Sequence, residues 1–204
     1  MNFSMLVVKT INELRSELNK IDDSSDIGLV PTMGALHQGH ISLLEMALSE
    51  NKKVVVSIFV NPTQFNNNED LEKYPKTLEN DVNLISTISN EIIVFAPSIN
   101  EIYKNHVKTK IYDFAGLDKV MEGEFRDNHF NGVGTIVEVL FNLVKPNRAY
   151  FGEKDFQQLC IIQKLVEIQK IPVEIIGCEI VRENNGLAMS SRNERLSSTI
   201  RQNA

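Results

Sequence analysis

Two histidines stand three residues apart in the run PTMGALHQGH at residues 31–40, which also contains Gly34 and Gly39. An apolar stretch precedes this run and an amphipathic one follows, which predicts a turn from a strand into a helix. Glycine lets a backbone approach a ligand closely, and the first-turn amides of a helix bind anions. His37 and His40 are therefore candidate donors to phosphate oxygens. The alternative, one capping and one exposed histidine, is less favoured because both lie in a glycine-containing turn.

Two further segments carry groups that suit a polyphosphate. The run GEKD at residues 152–155 follows a strand-like stretch and opens a helix-like one, so Lys154 would lie beside a second anion-binding terminus. The run MSSR at residues 189–192 offers two hydroxyls and a guanidinium that can wrap a triphosphate. The alternatives are a surface lysine beside a capping aspartate and a serine-rich turn with a solvated arginine.

Two glutamines lie in predicted strand-end loops. Gln64 and Gln158 are uncharged, and a site for a small hydroxy acid needs such groups to hold hydroxyl and carboxylate oxygens. Gln158 has a simpler explanation, since Asp155 and Gln158 have capping-box spacing, and the residues alone favour it. For Asp81, on a predicted helix, the residues alone favour a solvated helix face.

The elements that must position these residues follow an alternating pattern. Apolar runs of strand length cover residues 27–31, 54–60, 92–96, 149–151 and 173–180. Between them, helical spacing relates Ile41, Leu44 and Leu48, and again Leu159, Ile162 and Val166, while Thr10 and Glu13 have capping-box spacing. The pattern predicts a doubly wound, Rossmann-like α/β domain with a mainly parallel sheet, and the less regular residues 100–128 predict an excursion from it. Such sheets bind ligands beyond the carboxyl ends of their strands, where most of the candidate groups lie.

Composition narrows the class of protein. The 204 residues, 42% of them hydrophobic, suit one substantial domain or one domain and the start of another. We expect no membrane span, no secretion signal and a cytoplasmic location, because the apolar runs are short and the N-terminus has no signal pattern. A net charge of −6 argues against a nucleic-acid partner. Cys160 and Cys178 lack metal-ligand spacing and are predicted to be free, buried thiols.

The motifs together resemble those of the pantothenate synthetase (pantoate–β-alanine ligase) family. His-x-Gly-His alone resembles only the wider nucleotidylyltransferase superfamily. The narrower resemblance spans residues 27–196 and rests on the runs VNPTQF at 60–65, YPKTL at 74–78, EGEFR at 122–126, HFNGV at 129–133, YFGEKDFQQ at 150–158 and GLAMSSRN at 186–193.

This resemblance implies a two-step reaction, in which pantoate attacks ATP to give an adenylate and pyrophosphate, and β-alanine then displaces AMP. It implies ATP as substrate, Mg²⁺ as cofactor and a homodimer. His37, His40 and Lys154 become the catalytic residues, with His37 favoured for a proton-handling role over an electrostatic one. Gln64 and Gln158 would bind pantoate, Gln64 also β-alanine, and Asp81 a metal ion, although the flanking Asn80 is not acidic. The implied ATP-binding positions are Met33, Gly34, Ala35, Leu36, His37, Gln38, Gly39, His40, Gly152, Glu153, Lys154, Asp155, Val181, Met189, Ser190, Ser191 and Arg192.

We expect residues 1–185 to form the ATP- and pantoate-binding domain and residues 186–204 the signature loop and the start of a C-terminal segment. The smaller C-terminal lid domain of the family is expected to be largely absent from this sequence. By the resemblance, Arg126 and His129 line the site. Two other functions stay open: a nucleotidyl transfer to a phosphorylated substrate, against which the uncharged Gln64 and Gln158 argue, and a non-catalytic nucleotide-binding module.

Overall fold

Parallel strands build the centre of the molecule. The structure is a computed structural model that describes residues 5–22, 26–65, 67–104 and 106–203. Its sheet has the order β1-β4-β3-β2-β5-β6, with every neighbouring pair parallel. The strands are β1 Leu6–Val8, β2 Ile27–Thr32, β3 Lys53–Ile58, β4 Ile93–Phe95, β5 Arg148–Gly152 and β6 Glu174–Cys178. This is the doubly wound α/β fold that the sequence predicts.

Helices connect the strands and cover both faces of the sheet. They are α1 Ile11–Leu18, α2 Gln38–Glu50, α3 Asn68–Glu72, α4 Leu78–Ser86, α5 Ile99–Tyr103, α6 Glu122–Phe125, α7 His129–Val144, α8 Phe156–Gln169 and α9 Ser198–Asn203. In the described part of the chain, no helix is both long and apolar enough to cross a membrane.

The apolar core lies in two layers, one on each face of the sheet. Successive strand residues point to opposite faces, so Val30, Val54 and Val56 pack in one layer while Leu29 and Val55 pack in the other. The first layer includes residues of α2 and α4, and the second includes residues of α1, α7 and α8. Burial on both faces explains why the strands read as continuous apolar runs.

The predicted strands agree with the structure apart from their ends and one omission, whereas the 16-residue helix α7 was not predicted. All five predicted strands exist, with ends shifted by at most two residues. Strand β1, with only three residues at the sheet edge, was not predicted because so short a run carries no periodic signal. The capping box of Thr10 and Glu13 is confirmed, as are free thiols at Cys160 and Cys178. Of the two cysteines, only Cys178 is buried.

Residues 106–128 form the expected excursion and pack against α7 and α8. Tyr112 and Phe114 enter the core, and the Tyr112 hydroxyl donates to Glu138 on α7 at 2.5 Å. The buried Gln157 on α8 donates to the carbonyls of Leu117 and Val120 at 2.7 and 2.6 Å. These contacts hold the excursion against α7 and α8.

Candidate active site

A cleft opens where the direction of winding reverses. Strands β2 and β5 are neighbours, but β2 leads into α2 on one face of the sheet and β5 leads into α8 on the other. Their loops therefore diverge beyond the carboxyl ends of the strands and leave a crevice, which is where doubly wound sheets bind ligands. The cleft has a volume of about 230 Å³.

Most of the candidate residues line this one cleft, although they are far apart in the sequence. They are Met33, His37, Gly39, His40, Gln64, Gly152, Lys154, Asp155, Gln158, Val181, Met189, Ser190, Ser191 and Arg192. The remaining candidates lie beside it. Residues 34–36 form the backbone beneath the two histidines, the side chains of Gln38 and Glu153 are exposed, and Asp81 is buried behind the loop.

The loop after β2 gives both histidines defined orientations. Gly34 and Ala35 have left-handed φ angles of 83° and 51°, and α2 then begins with His37 as its N-cap. The Nδ1 atom of His37 accepts the N–H of Gly39 at 3.1 Å, and that of His40 accepts the N–H of His37 at 3.2 Å. The ring centroids are 4.1 Å apart. The sequence alternative of one capping and one exposed histidine is wrong, since both rings cap the helix start and both line the cleft.

These hydrogen bonds fix the tautomer of both rings. A neutral imidazole carries one proton, and a nitrogen that accepts a hydrogen bond cannot carry it, so each proton lies on Nε2. Burial, with Lys154 nearby, lowers the pKa of His37, and burial with the nearby His37 and Lys154 lowers that of His40 to about 3. At neutral pH both histidines are therefore uncharged and each has an Nε2–H to donate.

The lowered pKa of His40 should make the stability of the fold depend on pH. As the pH falls below about 6.5, the unfolded chain protonates this residue while the folded chain does not, so the free energy of unfolding decreases. The contribution of His40 to the free energy of unfolding is complete above pH 6.5. It decreases by about 1.4 kcal/mol per pH unit as the pH falls towards the folded-state pKa of His40, which is about 3. Urea unfolding between pH 7 and 5 should give a shallower dependence for His40→Gln than for the unmodified chain.

His106→Gln provides the matched control, because His106 is exposed and lies away from the cleft. Its pH dependence should equal that of the unmodified chain. Equal dependence in all three proteins would contradict a neutral, partly buried His40.

Gln64 is held on both its backbone and its side chain. Its carbonyl accepts a hydrogen bond from His129 Nδ1 at 2.8 Å and from Arg126 Nη2 at 3.2 Å. Its side-chain oxygen accepts from Asn61 Nδ2 at 3.1 Å, and its Nε2 lies 2.9 Å from the sulfur of Met33. The resemblance predicted that Arg126 and His129 line the site, but neither is among the cleft residues, and both hold Gln64 from behind. Burial, with Arg126 beside it, lowers the pKa of His129.

Asn61 supports Gln64 from outside the cleft lining, and the sequence did not identify it. It is 1% exposed and donates to both Gln64 and the carbonyl of Gly132, while its oxygen accepts the Tyr103 hydroxyl at 2.6 Å. A Cβ atom on Gly132 would lie 2.3 Å from the Thr63 carbonyl, so glycine is needed for α7 to approach this loop. A polar residue directly after an apolar strand is the signal that could have identified Asn61.

The start of α8 differs from the predicted capping box. Asp155 makes no side-chain capping bond, and its oxygen instead accepts from Lys154 Nζ at 2.9 Å. The capping explanation for Gln158 is therefore wrong, and its side chain lines the cleft. The amide with a structural role is the preceding Gln157, which holds the excursion. Lys154 is about one-third exposed at the cleft, which leaves its ammonium group accessible to a ligand.

The signature loop reaches the cleft from a hairpin that follows β6. The Met189 N–H donates to the Val181 carbonyl at 3.0 Å, and Arg182 and Ala188 form an antiparallel bridge. Ser190 caps the next turn by accepting the Arg192 N–H at 3.2 Å.

The Arg192 guanidinium pairs with Asp70 at 3.1 Å and lies 5.9 Å from the centre of the Tyr74 ring. The loop thus faces residues 70–74 across the opening of the cleft.

Asp81 is neither solvated, as the residues alone suggested, nor part of a recognisable metal site. It is 2% exposed, and its two oxygens accept the N–H groups of Leu36 at 2.7 Å and Ala35 at 3.0 Å. Among the residues that the structure describes, no three His, Cys, Asp or Glu side chains cluster as metal ligands would. Metal binding by Asp81 therefore stays a prediction, one that its buried contacts do not favour.

Comparisons with known proteins agree with this geometry. Residues 6–204 match the sequence profile of a family described as pantoate-beta-alanine ligase. The pantothenate synthetase of Christiangramia forsetii is 56% identical over 192 residues, which cover 94% of this chain and 66% of that protein's length.

Solved structures are similar as well. The pantoate-beta-alanine ligase of Francisella tularensis, complexed with beta-gamma ATP and beta-alanine, superposes with a TM-score of 0.91 at 42% identity, covering 96% of this chain and 74% of that one. The pantothenate synthetase of Thermus thermophilus also gives 0.91, at 45% identity, covering 98% of this chain and 71% of that one.

Proposed function

Since the chain belongs to the pantoate-β-alanine ligase family, we propose that it condenses pantoate with β-alanine at the expense of ATP, through a pantoyl adenylate. One observation carries this proposal for the chain itself. Groups suited to a polyphosphate and groups suited to a small hydroxy acid line the same cleft, at the switch point of the sheet. Residues 1–185 would supply the binding domain and residues 186–204 the signature loop and the start of a C-terminal segment.

ATP would lie along the divergent loops of β2 and β5. The Nε2–H groups of His37 and His40 donate to phosphate oxygens, and Lys154 adds a mobile positive charge. Ser190, Ser191 and Arg192 would contact the phosphates from the other side of the cleft. The pantoate carboxylate is already ionised at neutral pH, so its attack on the α-phosphorus requires alignment and charge neutralisation but no base.

Pantoate would bind between the two glutamines. Its two methyl groups need an apolar surface, and the cleft provides one in Phe59, Val133 and Ile136. Gln64 and Gln158 would hold its hydroxyl and carboxylate oxygens through uncharged hydrogen bonds. A phosphorylated substrate would need cations at these two positions, which argues against the alternative nucleotidyl transfer.

In the second step the amine of β-alanine, held by Gln64, forms a bond to the acyl carbon. The bond between that carbon and the phosphate oxygen breaks, AMP leaves, and the nitrogen releases a proton to solvent. Negative charge develops on the former carbonyl oxygen during this step. The lowered pKa and fixed tautomer of His37 support a role as hydrogen-bond donor in preference to the proton-handling role that the sequence favoured.

Magnesium is proposed to enter with ATP. The described side chains do not form a cluster suited to a metal ion, so the phosphate oxygens would provide most of its ligands. When bound there, Mg²⁺ would neutralise charge on the departing pyrophosphate.

Exchange of label between pyrophosphate and ATP tests the proposed reaction. Exchange should require pantoate and Mg²⁺ but not β-alanine, because adenylate formation reverses before the amine attacks. Exchange that appears only with β-alanine would contradict the two-step scheme. ATP binding without exchange under any condition would favour a non-catalytic nucleotide-binding module.

Gln158→Ala should raise the KM for pantoate roughly tenfold or more, the effect of losing one or two hydrogen bonds to a buried ligand. The KM for ATP should stay unchanged. Gln163→Ala is the control, because Gln163 is exposed on the same helix outside the cleft. An unaltered pantoate KM in Gln158→Ala would remove this residue from the proposed site.

We also propose that two copies of the chain associate and that the enzyme works in the cytoplasm. Within the excursion, the side chains of Ile111 and Phe125 are 75% and 82% exposed, with Val107, Val120 and Met121 also exposed. Exposed apolar side chains of this kind suit a protein–protein interface. Sedimentation should give twice the mass of one chain, and Ile111→Lys with Phe125→Lys should reduce it to the mass of one.

Free thiols at Cys160 and Cys178 are typical of a reducing compartment.

A further inference from the structure

The two histidines depend on a backbone conformation that is unfavourable by itself. Gly34 and Ala35 are consecutive residues with positive φ, at 83° and 51°. For alanine the left-handed region is disfavoured by contacts of its Cβ atom, so the surrounding structure must stabilise it. Because His37 follows two residues later and bonds to His40 through its own N–H, a relaxed loop would displace both imidazoles.

A buried carboxylate from a distant helix meets this loop. Asp81 lies on α4, and its Oδ1 and Oδ2 atoms accept the N–H groups of Leu36 at 2.7 Å and Ala35 at 3.0 Å. Amides of successive residues in such a conformation form a small anion-binding concavity. Here the anion belongs to the protein. A Cβ atom on Gly34 would lie 3.0 Å from Oδ2, so the backbone also packs directly on the carboxylate.

The contacts of the carboxylate indicate that the loop is its main partner. Among the described residues, no Lys, Arg or His nitrogen forms an ion pair with Asp81, and its other hydrogen bond comes from the Thr77 hydroxyl at 3.3 Å. Hydrogen bonds from amides to a charged acceptor are about twice as strong as those between neutral groups. An unpaired buried carboxylate would be strongly destabilising, so these amides also account for its burial.

We propose that Asp81 is a positioning residue for adenylation, whose carboxylate holds residues 34–36 in the conformation that aims His37 and His40 at the nucleotide. It touches neither substrate nor the reacting atoms. This inference rests on the proposed function, and it assigns to Asp81 a role other than metal binding. Its consequence is that removing the charge lowers the rate of adenylation without changing the affinity for Mg²⁺.

Asp81→Asn is the informative change, because the amide has the same shape but turns an N–H donor towards one of the two backbone N–H groups. Pantoate-dependent exchange should fall roughly 10- to 100-fold, as expected for reacting groups displaced by up to about 1 Å. The Mg²⁺ concentration for half-maximal exchange should not change. Glu79→Gln is the control, since it removes a carboxylate from an exposed position on the same helix and should leave exchange unaltered.

Nitrogen-15 spectra of the imidazoles provide a readout that needs no activity. The unmodified chain should show the Nε2–H tautomer for His37 and His40, and Asp81→Asn should shift both sets of signals or mix the tautomers. This measurement separates the proposals, since a chain without exchange activity can still show the loop effect. Adding Ala35→Gly, which allows positive φ without strain, should restore several-fold of the exchange lost in Asp81→Asn.

Two results would overturn the proposal. One is exchange and histidine spectra in Asp81→Asn that equal those of Glu79→Gln. The other is exchange in Asp81→Asn that recovers at high Mg²⁺, which would make Asp81 a metal ligand. If Asp81→Asn does not fold, amide hydrogen exchange of the unmodified chain provides the test. The proposal requires the Ala35 and Leu36 amides to be strongly protected, and rapid hydrogen exchange at both would contradict it.

Discussion

Replacing Lys154 with alanine should slow adenylation by roughly 10²–10³-fold, the usual effect of removing one preorganised donor from a developing charge. The ammonium group lies at the cleft, at the start of α8, where the helix terminus also favours negative charge. Its ion pair with Asp155 is largely exposed, and exposed pairs contribute about 0–1 kcal/mol to stability. The melting temperature should therefore change by about 4 °C or less.

Single-turnover formation of pantoyl adenylate measures this effect without product release. Lys164→Ala is the matched control, because Lys164 lies on the same helix outside the cleft and pairs with Glu167. Its adenylation rate should equal that of the unmodified chain. A Lys154→Ala protein that adenylates normally but melts at a lower temperature would show that this lysine has only a structural role.

Substituting His37 should separate a hydrogen-bond donor from a base. His37→Asn keeps an acceptor near the position of Nδ1, which can still cap α2 by accepting the Gly39 N–H, but it has no group at the position of Nε2. Adenylation should fall roughly 10²–10³-fold with little loss of stability. His37→Gln carries an N–H near the Nε2 position and should retain more activity than either the asparagine or the alanine variant.

The pH dependence provides an independent check on His37. Burial, followed by the nearby Lys154, lowers its pKa, so the residue is already neutral at pH 7 and stays neutral as the pH rises. Between pH 7 and 9 the rate of pantothenate formation by the unmodified chain should therefore show no titration that is lost in His37→Gln. A glutamine variant as slow as alanine, together with loss of a titration present in the unmodified chain, would support a base instead.

Local sequence patterns determined the elements and the motifs. Continuous apolar runs identified five strands because the central ones are buried on both faces, and helical spacing identified the inward faces of α2 and α8. The order of short motifs, from His37 to Arg192, predicted the family. The carboxyl ends of parallel strands lie at the same edge of the sheet. The fold class therefore predicted that Lys154 and the two histidines line one cleft.

The tertiary structure decided the roles of individual side chains. Gln157 and Gln158 are neighbours with the same chemistry, and only the position of the excursion makes one structural and the other accessible. The sequence indicates an exposed helix position for Asp81. In the structure, α4 packs against a loop 45 residues away in sequence, and Asp81 is buried there. The tautomers of His37 and His40 depend on where two backbone N–H groups point. Elements reflect interactions between near neighbours in sequence, whereas burial and hydrogen-bond partners depend on contacts that form only when distant segments pack together.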